Sequence, residues 1–357
     1  MVPRGPRAAR GSGGAVPGSP MLKAILFSLL PSFVKTWWLR RRGVDVGPGV
    51  HIGFGMVLHG RIRRIGDHAR LGPLSIVVAD EIEIGRWVRF HPLTLMRAGK
   101  VTLKDYAKIG SLTIVNGKEP FFPRSEISVG VNSYICPLCW IDCGQKVIIG
   151  DDVSIGGATH IFTHGSFLPW LEGFPFQTGD VIIGNRVYIP WRVFIMPGTR
   201  VGNDVIIGAK ALLRGEFPDN CMAVGIPAKI IKQPYFEPVS DEERLRRLGV
   251  IFDRMIEVAG QLGIRFDVVE RSATRFHARW KPGEPGGATL FFDRDPAAAC
   301  PDDGPCLRIY LDEESFPERG SFFNARTRRF RFEGPEKDLG RMVRRIFSYF
   351  GVRGMPA

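Results

Sequence analysis

A six-residue repeat of aliphatic side chains dominates residues 181 to 213, VIIGNRVYIPWRVFIMPGTRVGNDVIIGAKALL. A helix repeats its apolar residues about every 3.6 positions and an isolated strand about every 2, so neither element explains a period of six. The period fits a solenoid of very short strands, in which one aliphatic side chain per strand points into a shared core. The repeat positions are Ile183, Ile189, Ile195, Val201, Ile207 and Leu213.

The same spacing recurs upstream in shorter blocks, and its register slips between them. Ile149-Gly150 is followed six residues later by Ile155-Gly156 and after another six by Ile161; Val46-Gly47 and Ile52-Gly53 are also six apart. A small residue after the aliphatic one suits a corner of the coil. A β-sandwich with glycine-rich turns is the alternative, but sandwich strands keep a period of two. We therefore predict a mainly β protein built around a solenoid.

The end of the repeat carries a second signal. Residues 201 to 232, VGNDVIIGAKALLRGEFPDNCMAVGIPAKIIK, close with Gly-x-Pro-Ala-Lys at Gly225 to Lys229. With the repeat, this segment resembles the hexapeptide-repeat acyltransferases: maltose, galactoside and virginiamycin-type acetyltransferases and the sugar O-acetyltransferases of polysaccharide biosynthesis. The resemblance covers residues 43 to 233. It implies a left-handed parallel β-helix, an exception to the usual right-handed crossover. It also implies a homotrimer that uses acetyl-CoA, bound in the groove between adjacent subunits.

Composition and pattern divide the chain into four segments. Residues 1–20 are rich in Pro, Gly and Arg, which predicts a disordered N-terminal tail. Residues 21–43 predict an amphipathic N-terminal helix, and residues 44–233 the β-helix acyltransferase domain. Residues 234–357 predict a small α+β accessory domain that begins with an amphipathic helix over 241–262. Strand-like runs follow at 266–269, 288–292, 307–311 and 328–332, before a closing helix over 339–350.

Two roles are open for the N-terminal helix. Residues 22–39, LKAILFSLLPSFVKTWWL, contain two lysines and Pro31, so they are marginal for crossing a membrane. The segment 22–42 could make peripheral contact with a membrane, with Trp37 and Trp38 at the headgroups and the following arginines on anionic lipid. It could instead cover the open end of the solenoid, which needs a cap. We favour the cap, although one segment can serve both roles.

Charge and cysteine content restrict the partners. The net charge is +13 with a pI near 9.8, which favours anionic partners such as a nucleotide-sugar, an anionic glycan or a membrane surface. The arginines are spread along the chain, so we expect no nucleic-acid partner. Six cysteines are too few for a disulfide framework. Cys136, Cys139 and Cys143 lie close together but lack a second Cys/His pair, so we expect them to pack in a coil and to bind no metal. We expect a cytoplasmic protein, at the inner face of the membrane if the N-terminal segment binds lipid.

The longest departure from the repeat runs from His160 to Asp180, between two in-phase blocks. Loops on a rigid scaffold usually carry function. Acyl transfer from a thioester to a hydroxyl needs a base, and histidine suits this near neutral pH. In the family that the chain resembles, the catalytic histidine ends a hydrophobic-x-Thr-His segment, which Ile161 to His164 match. The resemblance therefore implies His164 as general base and His160 as a supporting residue.

Two carboxylates are further candidates. Asp142 comes from the preceding coil, near the position where relatives place an acidic or amide residue that hydrogen-bonds the acceptor. A solvated corner aspartate is the alternative. Glu172 lies inside the loop and could orient His164 or touch the acceptor. The loop aromatics could form an acceptor wall, or they could be buried against the coil: Phe167, Trp170, Phe174 and Phe176.

The resemblance also implies a donor site. Its backbone amide for the developing oxyanion corresponds to Trp191, beside Pro190, which has no N–H. Ala209 and Lys210 would flank the pantetheine arm of coenzyme A. Arg214 and Lys229 would lie near the phosphates. Solvent-exposed basic side chains are the alternative for each of the last three.

These features predict an acyl-CoA-dependent O-acyltransferase that acts on a sugar or glycan by direct attack, without an acyl-enzyme. An N-acetyltransferase on an amino-sugar nucleotide is the near alternative, since only the nucleophile differs. A zinc enzyme of the γ-carbonic-anhydrase type would need three histidines on one metal. His160 and His164 supply two, and His91 is the nearest upstream. A non-catalytic trimeric scaffold is the remaining alternative.

Overall fold

The computed structural model describes residues 20–117, 124–165, 168–261, 263, 265–281, 287–302, 305–315, 317, 319–333 and 337–356. The chain forms two compact units, which divide after Glu237. The prediction of a disordered tail over residues 1–20 lies outside the described residues, except for Pro20.

The first unit is a parallel β-helix, which confirms the predicted fold class. Strands from successive coils pair in parallel, so that Val129, Ile149, Ile183 and Val201 follow one another across neighbouring strands. The strands before the long loop are β1 Asp45–Val46, β2 His51–Ile52, β3 Val57–Ile65, β4 Arg70–Leu71, β5 Ile76–Ile84, β6 Arg89–Phe90, β7 Leu95–Leu103, β8 Lys108–Ile109, β9 Ile114–Asn116, β10 Glu126–Val129, β11 Tyr134–Ile135, β12 Trp140–Asp142, β13 Lys146–Ile149, β14 Ser154–Ile155 and β15 His160–Ile161. Within the loop lie β16 His164–Gly165 and β17 Gln177–Thr178. After it come β18 Val181–Ile183, β19 Tyr188–Ile189, β20 Phe194–Ile195, β21 Arg200–Val201, β22 Ile206–Ile207, β23 Leu212–Leu213, β24 Glu216–Phe217, β25 Met222–Gly225 and β26 Ala228–Lys232, the last two pairing antiparallel.

The six-residue repeat forms the core of this unit. All six repeat positions between 183 and 213 are at most 3% exposed. The glycines that follow them turn corners where the next coil comes very close: a Cβ on Gly184 would lie 2.6 Å from the carbonyl oxygen of Gly202. Side-chain amides and carboxylates hold the same corner together. The backbone N–H of Asn185 donates to Asn203 Oδ1 at 2.8 Å, and that of Asn203 donates to Asp219 Oδ1 at 2.7 Å.

Two short helices cover the first coil. They are α1 Pro20–Ser28 and α2 Ser32–Arg41, separated around Pro31. Backbone groups on the open edge of the coil bond to this helical hairpin: the N–H of Ile52 donates to Ser32 Oγ at 2.9 Å, and the N–H of Gly55 donates to the Ser28 carbonyl at 2.9 Å. Lys35 is fully buried and donates from Nζ to the Gly53 carbonyl at 2.7 Å. The hairpin therefore makes the contacts expected of a cap. Among the described residues, no helix is both long and apolar enough to cross a bilayer.

The second unit combines two helices with a seven-stranded mixed sheet, as the predicted α+β class requires. Helix α3 spans Asp241–Gln261, and helix α4 spans Lys337–Tyr349. The strands, each paired with the next, are β27 Arg265–Arg271, β28 Arg275–Lys281, β29 Ala288–Asp293, β30 Cys306–Tyr310, β31 Ser321–Asn324, β32 Arg329–Arg331 and β33 Met355–Pro356. Apolar side chains of both helices pack with those of the sheet in one core, separate from the core of the β-helix.

The cysteines divide between the units. Cys139 and Cys143 are buried in the β-helix coils, as predicted, and Cys221 is also buried there. In the second unit Cys300 and Cys306 form a disulfide, which was not predicted.

Candidate active site

The candidate site forms where the chain leaves the regular coil after β15. His164 and Gly165 turn back and pair antiparallel with Gln177 and Thr178, so the loop is anchored at its base. The chain then rejoins the coil at β18. This small two-stranded ribbon fixes the backbone of His164 at the edge of the solenoid.

His164 and Asp142 form a hydrogen-bonded pair. His164 Nδ1 lies 2.9 Å from Asp142 Oδ1, and the two side chains are 32% and 16% exposed. Because an ionised carboxylate only accepts hydrogen bonds, this contact favours the tautomer with the proton on Nδ1. In that tautomer Nε2 carries the lone pair of the ring, so Nε2 is the nitrogen that can act as a base. Sequence analysis predicted that Asp142 lies near the acceptor. In the structure its Oδ1 is hydrogen-bonded to His164.

Asp142 is itself held by a buried threonine. The hydroxyl of Thr163 donates to Asp142 Oδ1 at 2.8 Å, and the backbone N–H of Gln145 donates to Thr163 Oγ1 at 3.0 Å. The N–H of Gly144 donates to the same carboxylate oxygen at 3.3 Å. Sequence reasoning missed Thr163 as a site residue, although it directly precedes His164. Its complete burial is the feature that distinguishes it from a loop threonine.

His160 lies in a different environment, one strand before the loop. It stacks on Phe194 of the next coil, with ring centroids 4.7 Å apart and planes within 4°. In register it sits between Trp140 and Phe194. Its Nδ1 is buried and lacks a hydrogen-bond partner among the described residues. His160 is thus part of an aromatic column beside the Asp142–His164 pair.

The loop presents apolar side chains outward. Glu172 is exposed at the end of a short 3-10 helix, Trp170–Glu172, and the carboxylate that meets His164 is that of Asp142. Trp170, Phe174 and Phe176 are exposed, and Leu171 is 95% exposed. Phe167, also predicted to line an acceptor wall, lies outside the described residues. These exposed rings give the loop that contains His164 an apolar surface.

Of the residues predicted to bind coenzyme A, three lie together at one corner of the coil, and Arg214 and Lys229 lie elsewhere. The N–H of Lys210 donates to the Trp191 carbonyl at 3.1 Å, so Ala209-Lys210 stacks directly on the Pro190–Trp191 corner. The indole of Trp191 lies against the coil on its other side, since a Cβ on Gly157 would be 2.7 Å from the ring. Arg214 is exposed beyond β23. Lys229 is exposed on β26, paired with Val224.

The described residues also bear on a cysteine nucleophile and on a bound metal ion. Burial raises the pKa of the Cys143 thiol, next to Asp142, to about 12, so this thiol is protonated and unreactive at neutral pH. Across the described part of the chain, no group of three His, Cys, Asp or Glu side chains is placed to hold a metal ion.

Comparison with known proteins gives the site a context. The chain matches no protein-family model. It is 35% identical over 118 residues to a putative lipopolysaccharide biosynthesis O-acetyl transferase, WbbJ, of Escherichia coli, a match that covers 30% of this chain and 58% of the relative. It is 26% identical over 149 residues to the galactoside O-acetyltransferase of Escherichia coli, covering 40% of this chain and 71% of that protein. Over part of its length the chain is thus similar in sequence to O-acetyltransferases. This confirms the family resemblance drawn from the repeat and its closing motif.

Matching solved structures include the polysialic-acid-specific acetyltransferase NeuO, at 22% identity and a TM-score of 0.33, covering 61% of this chain and 97% of that one. A hexapeptide-repeat acetyltransferase of Vibrio cholerae solved with acetyl coenzyme A matches at 20% identity and a TM-score of 0.30, over 36% of this chain and 70% of that one. The aligned region spans 58% of the length of WbbJ, and 55% of that of a chloramphenicol acetyltransferase from Morganella morganii that is 34% identical.

Proposed function

We propose that the protein is an acyl-CoA-dependent O-acyltransferase, with acetyl-CoA as donor and a hydroxyl of a sugar or glycan as acceptor. The observation that carries the proposal is the hydrogen bond between Asp142 and His164, at the base of a loop that leaves the coil. The O-acetyltransferase names of two relatives support the reaction class. The Vibrio cholerae and galactoside enzymes crystallised with acetyl coenzyme A or coenzyme A are consistent with the donor.

The proposed reaction is a direct attack of the acceptor hydroxyl on the thioester, without an acyl-enzyme. His164 Nε2 takes the proton of the acceptor hydroxyl as its oxygen bonds to the thioester carbonyl carbon. The tetrahedral intermediate then collapses: the carbon–sulfur bond breaks, and the leaving thiolate takes the proton back from the imidazolium. Asp142 fixes the ring and stabilises its charged form, as a carboxylate does beside a catalytic histidine. The backbone N–H of Trp191 is the proposed oxyanion donor.

The two substrates would approach the histidine from different sides. We propose that the pantetheine arm passes the corner of Trp191, Ala209 and Lys210, which stack on one another. Arg214 and Lys229, both exposed, would meet the phosphates. The exposed rings of the loop would receive the acceptor, because flat apolar surfaces suit the faces of sugar rings.

Assembly and location complete the proposal. We propose a homotrimer, since the aromatic column of Trp140, His160 and Phe194 lies on an outer face of the solenoid with two of its rings 42% exposed. The protein would act in the cytoplasm, in peripheral contact with the inner face of a membrane. Sedimentation at increasing protein concentration measures the oligomeric state directly.

The decisive experiment is thiol release from acetyl-CoA against a panel of sugars, nucleotide-sugars and glycans. His164→Ala should lower turnover at least about 100-fold, the usual scale for loss of a general base. Asp142→Asn should also lower it, and Glu257→Gln, a change of an exposed carboxylate on α3, serves as the matched control. Equal turnover by wild type and His164→Ala would remove His164 as base. Failure to bind coenzyme A would instead favour a non-catalytic scaffold, and product on an amino group would favour N-acylation.

A further inference from the structure

The outer face of the capping hairpin is unusually apolar. Six large apolar side chains of α1, α2 and the turn between them are exposed, among them Phe33 at 73%, Leu26 at 59% and Trp37 at 55%. The full set is Ile25, Leu26, Leu29, Leu30, Phe33 and Trp37. We call these six residues the hairpin face. Contiguous exposed apolar surface of this kind marks an interaction site in a soluble unit.

The hairpin face lies at the end of the solenoid. The opposite side of the hairpin provides the buried residues Lys35, Thr36 and Leu39. Lys35 and Ser32 bond to backbone groups of the first coil on its open edge, the edge away from the second coil. One side of the hairpin is therefore bonded to this edge, and the hairpin face is its exposed side.

The sequence next to the hairpin face is basic. Residues 1–43 contain eight basic residues and no acidic residue, so they supply +8 of the net charge of +13. Three of them, Arg40, Arg41 and Arg42, are exposed at the C-terminal end of α2. Two of the arginines are held beside indole rings: the Arg41 guanidinium lies 5.3 Å from the centre of the Trp37 ring, and that of Arg42 lies 3.8 Å from the centre of the Trp38 ring. Both arginines are exposed. These arginines favour an anionic partner. The exposed apolar side chains require that this partner also have an apolar region into which they can insert.

We infer that the hairpin face docks on an anionic lipid bilayer. Phe33, Trp37 and their aliphatic neighbours would enter the boundary between headgroups and acyl chains, while Arg41 and Arg42 meet lipid phosphates. The helices have nine and ten residues, too short to span about 30 Å of hydrocarbon, so the docking is interfacial. The cap contacts and the lipid contacts use opposite sides of one hairpin.

This docking also defines the acceptor, a consequence that rests on the proposed function. Helix α1 contacts strand β3. In the sheet, β5, β7 and β9 lie between β3 and β12, so four inter-strand distances separate β3 from β12. At about 4.8 Å for each spacing, Asp142 on β12 lies about 19 Å above the first coils. The site thus stands well clear of the bilayer surface. The acceptor sugar would belong to a glycan that is anchored in the same bilayer and extends from it.

Binding to vesicles tests the docking without any substrate. The full chain is sedimented with vesicles of phosphatidylcholine alone or of phosphatidylcholine with phosphatidylglycerol. Wild type should bind the anionic vesicles, and added salt should weaken binding. Phe33→Ser with Trp37→Ser should lower the affinity about tenfold or more, as should Arg41→Gln with Arg42→Gln. Tyr349→Ser, which changes a ring that is 78% exposed on α4, is the matched control and should bind as wild type.

Several outcomes would overturn the inference. Wild type that stays in the supernatant with anionic vesicles would refute the docking, as would equal binding by all four proteins. Self-association without lipid that is lost in Phe33→Ser/Trp37→Ser would show that a second copy covers the hairpin face. If vesicles bind but the protein acetylates no acceptor, the docking stands and the proposed function fails. Equal rates on a free glycan and on the same glycan carried by vesicles would remove the acceptor assignment alone.

Discussion

At the scale of single residues, Thr163 is the support of the proposed catalytic pair. Its hydroxyl joins the Gln145 N–H to Asp142 Oδ1 within a buried pocket. Thr163→Val keeps the shape but leaves that N–H without a partner, so we expect a loss of about 1–2 kcal/mol in the free energy of unfolding. Turnover should also fall, but by less than the loss of about 100-fold that we expect for His164→Ala. Thr163→Ser, which keeps the hydroxyl, should recover both quantities; a Thr163→Val protein as stable and active as wild type would contradict this role.

The buried thiols allow a prediction about pH. Burial raises the pKa of both Cys139 and Cys143 to about 12 from their usual value near 9. A thiol whose pKa is raised by folding adds stability that is complete below the unfolded value and is lost as pH rises towards 12. We expect Cys139→Ala/Cys143→Ala to lose less stability between pH 9 and 12 than wild type does, in urea titrations at each pH.

The same thiols should resist alkylation in the native protein. Iodoacetamide at neutral pH should leave Cys139 and Cys143 unmodified until denaturant is added, because the thiolate is the reactive form. Mass spectrometry of the peptides reads the result. Rapid native labelling of either cysteine would show that its coil opens to solvent.

The arrangement of the candidate site was only partly predictable from sequence. His164 followed from the Thr-His segment, and the structure places it at the base of the loop. Its partner could not be derived, because Asp142 and His164 are 22 positions apart and meet only after the chain turns into the two-stranded ribbon. Glu172, only eight positions after His164, was the carboxylate that the sequence suggested could orient the histidine.

At the scale of elements, the corner glycines explain why the coils stack so closely. Gly184→Ala would place a Cβ 2.6 Å from the carbonyl oxygen of Gly202, and backbone on both sides cannot move away cheaply. We expect a loss of about 1–3 kcal/mol. Gly260→Ala in α3 is the control: its Cβ meets nothing within 4 Å, and alanine is the better helix former by up to about 1 kcal/mol. Hydrogen exchange read by mass spectrometry separates the two units; unchanged protection around Gly184 in its variant would contradict the prediction.

The elements of the two units differ in how far sequence could predict them. The period of six located the inward positions of the β-helix, because each coil repeats one local rule. In the second unit both helices were predicted within two residues of their bounds. Strand β28 was missed, although Phe276, Ala278 and Trp280 alternate with less apolar residues. Strand β31 offered no such pattern, since all four of its residues are buried.

At the scale of the whole molecule, the described chain has two hydrophobic cores, and each core contains residues of one unit. Ile155 is fully buried in the β-helix, and Leu290 is fully buried in the sheet of the second unit. Truncation of either side chain to alanine should lower the free energy of unfolding by about 2–5 kcal/mol, because the variant buries less apolar surface and also contains a cavity. If the two units unfold independently, Ile155→Ala should lower amide protection only in residues up to Glu237. Leu290→Ala should then lower it only in residues after Glu237. Hydrogen exchange measures both profiles in one experiment. Loss of protection throughout the chain in either variant would show that the two units unfold together, and the accessory unit would then be a structural requirement of the β-helix.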